Sequence, residues 1–359
     1  MLDNNLSSRA GALQTIQWKS GTANDFFVSL AVLHEPAIFG VRPSWAAGVR
    51  QRIPGERREF LEKVQNFSGV PLHWLAGLPE PSDAQTALHI IEGMEPIQRM
   101  QTLTLGTEIP SLVRECLSNI SKRGSWMESE LKILKELYRR RDELLNQENL
   151  TLLVSCWAEA KKSGDLYLQA LQDYYQVFFA EEETRIRPSL EAGLERAREL
   201  AGRTNLDDLI EELSHGVHFA PLDSTKEFIL APSFWCAPLI FYTRLPESKM
   251  LLLFGARAED ESIVPGEGPS PQLVNILKAL ADPTRLRILR ILADRPLSSS
   301  DLARRLRLRL PTVIHHLRLL RLSGLVHIIV GENDKRYATR LEILDGLQQN
   351  LGNFIRTND

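Results

Sequence analysis

The chain has few cysteines and no long uninterrupted apolar run. Three widely separated cysteines in 359 residues argue against a disulfide framework and favour a reducing compartment. The most apolar stretch, residues 228–242, contains two prolines and is too short to span a bilayer. The first five residues have neither a basic start nor an apolar run, so no secretory signal is expected. These absences predict a cytoplasmic protein without membrane contact.

Short catalytic and phosphate-binding motifs are also absent. The sequence has no Gly-x-Ser-x-Gly, no His-Glu-x-x-His and no Walker pattern. His215 and His218 stand three residues apart at a predicted helix-to-strand junction, without an evident third ligand for a metal ion. We therefore predict no catalytic residues, no metal site and no cofactor, with any cofactor-binding residues unknown.

Charge is divided unevenly along the chain. Residues 270–359 contain 15 Lys and Arg against 8 Asp and Glu, whereas residues 1–269 contain 28 against 38. A basic module on an acidic body is expected when only one part of a protein contacts a polyanion such as DNA. Taken alone, the positive charge of residues 270–359 has an alternative explanation, which is that these arginines only keep exposed helices in contact with water.

The patterns predict a mainly α protein with small antiparallel β elements, in the α+β class. Apolar residues recur at helical spacing over residues 25–213, and Pro188 is expected to kink or split the helix of residues 165–200. Short apolar runs separated by Pro, Ser and Asp then predict strands at 217–220, 227–231, 239–242 and 250–254.

Three segments follow from these patterns. Residues 1–256 form a mostly helical regulatory or dimerisation domain with short strands near 217–254, and residues 257–271 form an acidic Pro/Gly linker. Residues 272–359 form a winged helix-turn-helix that binds DNA. The predicted wing is a hairpin of residues 326–330 and 336–339 around a tight turn at 331–334.

Helix boundaries in the last segment are strongly marked. Asp282-Pro283 is a capping residue followed by proline at the first helical position, and the serines beginning at Ser298 cap the next helix. Pro311 begins a further helix, which ends near Ser323-Gly324. A final amphipathic helix is predicted at 341–355.

The helix that begins at Pro311 has two different faces. At 100° per residue, an apolar stripe of Val313, Leu317 and Leu320 has His316 at its edge. The opposite face carries Pro311, His315, Arg318 and Leu322, with Arg321 on one flank. An apolar face docked on other helices leaves the basic face free for the DNA major groove.

Basic residues outside this helix are placed to contact the DNA backbone. Arg309 stands at the helix entrance, where exposed amides favour a phosphate. Lys335 and Arg336 follow the hairpin tip, where a wing meets the backbone or minor groove.

Four segments in order resemble an ArsR-type winged-helix regulator. They are residues 277–289, Asp301-Leu302-Ala303, residues 312–317 and Ser323-Gly324-Leu325-Val326, within a match that covers residues 272–340. The resemblance implies a homodimeric cytoplasmic transcription regulator, often a repressor, that binds a near-palindromic operator in double-stranded DNA. It places Thr312, His315, His316 and Arg318 on recognition-helix positions, and Lys335 and Arg336 on the wing.

The departures from the family pattern are informative. Where metal-sensing members carry paired cysteines, this chain has serines at 298–300, and its terminal helix offers Glu342 and Asp345 without a histidine. Metal sensing at these places is not expected, since thiophilic ions and zinc need thiolate or imidazole ligands. Leu310, Pro311 and Ile314 replace small polar residues, so base readout is expected to depend on His315, Arg318 and DNA shape.

The leading hypothesis is a DNA-binding repressor whose N-terminal domain senses an unidentified small-molecule effector, dimerises the protein, or does both. The candidate DNA-binding residues are Arg309, Thr312, His315, His316, Arg318, Arg321, Lys335 and Arg336. One alternative is a helical enzyme or ligand-binding protein with a DNA-tethering tail. The other is a winged helix used for protein–protein contacts.

Overall fold

The computed structural model describes residues 5–7, 13–106, 109–139, 146–214, 216–219, 225–237, 239–258, 261, 263–264, 271–330 and 335–356. The chain divides into two compact units. We call Ser20–His34 with Pro43–Arg187 the helical unit, and Met1–Lys19 with Glu35–Arg42 and Pro188–Asp359 the sheet unit. The predicted turn at 331–334, His215 and most of the predicted linker (259–260, 262 and 265–270) lie outside the described residues.

The described elements are helices and short strands, numbered in chain order. The strands are β1 (Asn5–Ser7), β2 (Leu13–Trp18), β3 (His218–Phe219), β4 (Glu227–Ser233), β5 (Phe241–Leu245), β6 (Lys249–Gly255), β7 (Leu297–Ser298), β8 (Val326–Val330) and β9 (Lys335–Thr339). The helices are α1 (Ala23–His34), α2 (Pro43–Arg50), α3 (Gly55–Gln65), α4 (Leu72–Leu75), α5 (Ala84–Glu92), α6 (Pro96–Thr104), α7 (Ser111–Arg123), α8 (Glu128–Arg139), α9 (Gln147–Ala158), α10 (Ala160–Tyr174), α11 (Ala180–Ala201), α12 (Leu206–Leu213), α13 (Pro271–Leu280), α14 (Pro283–Leu292), α15 (Ser299–Leu306), α16 (Leu310–Leu322) and α17 (Leu341–Arg356).

Close backbone packing and a buried arginine hold the helical unit together. Gly164 of α10 lies directly against the backbone of Pro96 in α6. Arg99 of α6 is 7% exposed, and it donates to the carbonyl oxygens of Ile91 and Glu92 and to the Asp165 carboxylate. The guanidinium thereby supplies donors to carbonyl oxygens at the end of α5, where a helix lacks part of its regular intrahelical hydrogen bonds.

The expected split of the helix at Pro188 is wrong, because α11 continues through this residue. A kink at Pro188 stays a prediction. The irregularity lies earlier, at the π-helical turn Tyr175–Phe179 that joins α10 to α11. A π turn inserts one extra residue into the helix. It thereby changes which side of the helix the following residues lie on, without ending the helix. The division between the two units falls at Pro188, within this helix.

A five-stranded sheet with the order β1-β2-β4-β6-β5 lies in the sheet unit. The expected antiparallel pairing is present between β5 and β6, but β4 and β6 are parallel neighbours. The parallel pair arises because β5 lies at the edge of the sheet, and the chain then turns back to place β6 between β4 and β5. Glu247 and Ser248 in the tight turn between β5 and β6 have positive φ. Strands β1 and β2 were not predicted. In the structure, residues 14 to 17 alternate between buried and exposed, as expected of a strand with one face on the core.

The winged helix completes the predicted α+β architecture, and its helices and hairpin strands are confirmed close to the expected limits. Its sheet has the order β3-β8-β9-β7. Strand β3, which was predicted to belong to the preceding sheet, instead pairs in parallel with β8 of the wing. Among the described helices, none is long and apolar enough to cross a membrane.

Candidate nucleic-acid interface

Helix α16 is held by a buried core of three helices and the wing. Val313, Leu317 and Leu320 are at most 1% exposed and pack with leucines and isoleucines of α14 and α15. The predicted apolar stripe of this helix is therefore confirmed. Because the buried stripe fixes the rotation of α16, the opposite face of its first turns points away from the core.

Two side-chain caps position the helices beneath α16. The Asp282 carboxylate accepts a hydrogen bond from the Arg285 N–H at 2.9 Å, and Ser298 Oγ accepts one from the Asp301 N–H at 3.1 Å. The hydrogen bond from Arg285 lowers the pKa of the Asp282 carboxyl. The ionised cap therefore favours the folded state above the ordinary carboxyl pKa of about 3.9, and this stabilisation is lost as pH falls through the lower folded value.

Six of the eight predicted residues are exposed. Arg309, Thr312, His315 and Arg318 are exposed at the entrance and on the outer face of α16. Lys335 and Arg336 are exposed on β9, where the wing begins its return. Four of these six side chains are lysine or arginine, and they lie at the entrance and on the outer face of α16 and on the wing, as contact with a polyanion would require.

His316 and Arg321 are half-buried. The His316 Nδ1 lies 3.9 Å from Asp282 Oδ1, and burial lowers the pKa of its imidazole. Arg321 lies near Tyr337 and Tyr242, and burial lowers the pKa of its guanidinium. His316 thus packs beside the α14 cap, while Arg321 lines a cavity that is separate from the exposed face.

Sequence reasoning missed three arginines next to Arg309. Arg304, Arg305 and Arg307 are exposed at the end of α15 and in the turn before α16, where Arg307 has a φ of 57°. The signal was present in the sequence as four arginines within residues 304–309. Arg305 and Arg307 extend the basic surface along the turn, whereas Arg304 is paired with Asp301.

The far end of α16 is covered. Leu322 was expected on the free face but is only 4% exposed, so that expectation is wrong. The short 3-10 turn Pro36–Phe39 of the same unit packs against α16, and Phe39 stacks on Phe241 with ring centroids 6.1 Å apart. The accessible face of the helix therefore runs from its start to Arg318, and it includes the N-terminal residues with which recognition helices contact bases.

Replacing Asp282 with Ala tests the cap of α14. We expect a loss of about 1 kcal/mol, because the Arg285 N–H loses its side-chain acceptor. Amide hydrogen exchange in α14 should become about fivefold faster at pH 7. The control is Ser300→Ala, since Ser300 is exposed in the first turn of α15 and does not cap it. Equal acceleration by both substitutions would contradict the capping role.

The described residues provide no cluster of side chains that could bind a metal ion. Within the described residues, no three His, Cys, Asp or Glu side chains lie close enough together to hold an ion. The three cysteines form no disulfide bond, and Cys156 and Cys236 are buried. Burial raises the pKa of the Cys156 thiol to about 11, so it is protonated at neutral pH.

Comparison with known proteins gives matches in this same region. The family model described as "Bacterial regulatory protein, arsR family" matches residues 282–327, from the α14 cap into the wing. The arsenical resistance operon repressor of Staphylococcus xylosus is 38% identical over 88 residues, which is 24% of this chain and 84% of the relative's length. The repressor of the same description from Staphylococcus aureus is 36% identical, with the same coverage. No solved structure matches the chain.

Proposed function

The chain belongs to the ArsR family of bacterial regulatory proteins, and on that premise we propose that it represses transcription in the cytoplasm by binding a near-palindromic operator as a homodimer. One observation carries the proposal. The buried stripe of α16 orients Thr312, His315 and Arg318 outward from a rigid core. Side chains of this kind on a helix that enters the major groove read base edges, while the flanking cations hold phosphates.

The remaining contacts are assigned by position. We propose that Arg309 and the newly identified Arg305 and Arg307 bind phosphates at the entrance of α16. Lys335 and Arg336 bind the backbone or minor groove from the wing. His316 and Arg321 are not placed in this interface, since both side chains are half-buried.

The homodimer is supported by exposed leucines on the first and last helices of the module. Leu277 of α13 is 40% exposed and Leu341, the first residue of α17, is 54% exposed. Apolar side chains of this size on neighbouring elements favour a self-complementary contact between two copies. Two recognition helices related by a two-fold axis then enter successive major grooves about 10 base pairs apart.

The remaining sequence is proposed to regulate the winged helix. Residues 1–256 form the regulatory or dimerisation part, residues 257–271 the connection, and residues 272–359 the DNA-binding part. The most direct test of the function is selection of bound genomic fragments with the full chain. We expect a near-palindromic motif upstream of a limited set of genes, whereas recovery of random fragments would contradict operator binding.

Arg318→Ala tests the interface itself. With the selected operator we expect the Kd to rise about 5- to 150-fold, since one good base contact contributes about 1–3 kcal/mol. The matched control is Arg203→Ala, which removes an exposed arginine from the turn after α11 and should change the Kd less than twofold. Fluorescence anisotropy at several salt concentrations measures both variants. Unchanged operator affinity in the Arg318 variant would contradict the base contact assigned to Arg318, whereas failure of the full chain to bind any duplex would favour a winged helix that binds protein instead.

A further inference from the structure

A cavity of about 220 Å³ lies within the sheet unit, behind the recognition helix. Its walls come from the end of α12, the loops that flank β5 and β6, the end of α16, strand β8 and the start of α17. It is smaller than the 300–1,000 Å³ typical of pockets for drug-sized ligands. An occupant would therefore be a small molecule that touches several elements at once.

One cation that lines this cavity has no partner among the described residues. The Arg321 guanidinium makes no hydrogen bond or ion pair with that part of the chain, although the side chain is half-buried near Tyr337 and Tyr242. A half-buried guanidinium with no acceptor from the fold is available for an acceptor that a ligand supplies. Its planar donors match the two oxygens of a carboxylate.

Three neighbouring charged side chains of the cavity have hydrogen-bond partners within the fold. Arg340 pairs with Glu342 at 2.8 Å, and Arg257 donates to the Ala237 carbonyl oxygen at 3.1 Å. The Glu261 carboxylate accepts from Ser189 Oγ. Arg321 thus supplies the positive charge for a ligand, and the carboxylates of Glu212 and Glu261 at the walls oppose a second negative charge. This balance favours a ligand with a single negative charge over a phosphate ester.

Apolar side chains line the rest of the cavity. Leu239 and Ile240 precede β5, Val326 and Ile328 belong to β8, and Ile343 belongs to α17. We propose that this cavity binds a small monocarboxylic acid, with its carboxylate on Arg321 and its apolar body against these side chains. The protein thus supplies a cation for the carboxylate and an apolar surface for the rest of the acid.

The position of the cavity links it to the DNA-binding face. Arg321 is three residues after Arg318 on α16, so the two lie on adjacent turns of one rigid helix. Val326 and Ile328 are in the wing strand that leads to Lys335 through the hairpin. The bound acid is therefore placed to change operator affinity, by about fivefold or more. This regulatory consequence rests on the proposed repressor function, whereas binding of the acid does not.

The binding test uses the full chain without DNA and a panel of fluorinated probes. The panel contains fluorobenzoates, short fluorinated aliphatic acids and the matching neutral amides, with binding followed by ¹⁹F NMR. We expect at least one acid to bind saturably at one molecule per chain, and its amide to bind at least tenfold more weakly. Failure of every acid to bind at millimolar concentration would overturn the proposal.

Variants locate the binding. Arg321→Gln should lower the affinity of the protein for the acid at least tenfold. Arg203 is an exposed arginine outside the cavity, so Arg203→Gln should leave that affinity within twofold. Circular dichroism and Tm establish that each variant is folded. Ala258→Trp is a second, independent variant, because Ala258 is exposed at the cavity and a bulky ring there should block entry. Full affinity in a folded Arg321→Gln or Ala258→Trp protein would overturn the assignment.

Operator binding with and without the acid separates the two proposals. If the acid binds and operator affinity changes, both are supported. If the acid binds to a protein that has no operator, the cavity proposal stands and the repressor proposal fails. If the protein binds an operator but binds no acid, the repressor proposal stands and the cavity proposal fails.

Discussion

Leu317→Ala is expected to lower the local stability of the winged helix by about 2–5 kcal/mol. Leu317 is 1% exposed and packs among the side chains that join α14, α15 and α16. Truncation removes buried apolar surface and leaves a cavity that the close-packed core fills only in part. Amide hydrogen exchange in α16 should become at least about 30-fold faster. Operator affinity should fall with it, because the recognition helix loses its fixed orientation.

The control lies one turn earlier on the same helix. Ile314 is 40% exposed, so Ile314→Ala should change stability by no more than about 0.5 kcal/mol. The pair therefore tests the rotation of α16 about its own axis. Equal destabilisation by both substitutions would mean that Ile314 also packs inward, and the assignment of the outer face would then be wrong.

Gly164→Ala is expected to destabilise the helical unit by about 2 kcal/mol. A Cβ at this position would lie 1.9 Å from the carbonyl oxygen and 2.5 Å from the carbonyl carbon of Pro96. These are backbone atoms of α6, so relief requires α6 and α10 to move apart, and such overpacking costs about 1–3 kcal/mol or more. The movement would also strain the buried hydrogen bonds of Arg99 to the end of α5. Better helix propensity, worth about 1 kcal/mol, offsets only part of the loss.

Urea unfolding followed by tryptophan fluorescence measures this effect. The helical unit contains four of the six tryptophans, namely Trp45, Trp74, Trp126 and Trp157. Gly48→Ala is the matched control in the same unit, because Gly48 is helical and a Cβ there meets nothing within 4 Å. It should stabilise the unit by up to about 1 kcal/mol. A Gly164 variant as stable as the Gly48 variant would rule out the close contact of α6 with α10.

Local signals in the sequence predicted the winged helix well. The Asp282 and Ser298 caps, the proline near the start of α16 and the glycine after it act within four residues of the backbone they affect. The apolar stripe of α16 follows from helical periodicity alone. The exposed positions of Arg309, His315 and Arg318 follow from that stripe, so the face proposed for DNA was predictable in advance, and its role in binding stays a prediction.

Three of the differences from the sequence-based expectations share one cause, which is contact between distant parts of the chain. The pairing of β3 with β8 joins residues more than 100 positions apart, and the turn Pro36–Phe39 packs against α16, which is far away in the sequence. Arg321 likewise lies near Tyr242, about 80 residues earlier in the sequence. Periodicity describes which face of an element is apolar, but it does not name the partner that covers that face.

Amino-acid order alone established the family, the helices and caps of the winged module, and the residues on its outer face, because hydrogen bonds and side-chain spacing within one element fix these. The parallel arrangement of β4 and β6, the extension of the wing by β3 and the cavity around Arg321 emerged only with the folded chain. These features depend on burial of surface between elements far apart in sequence. The free energy of that burial belongs to the assembled fold and to no single segment.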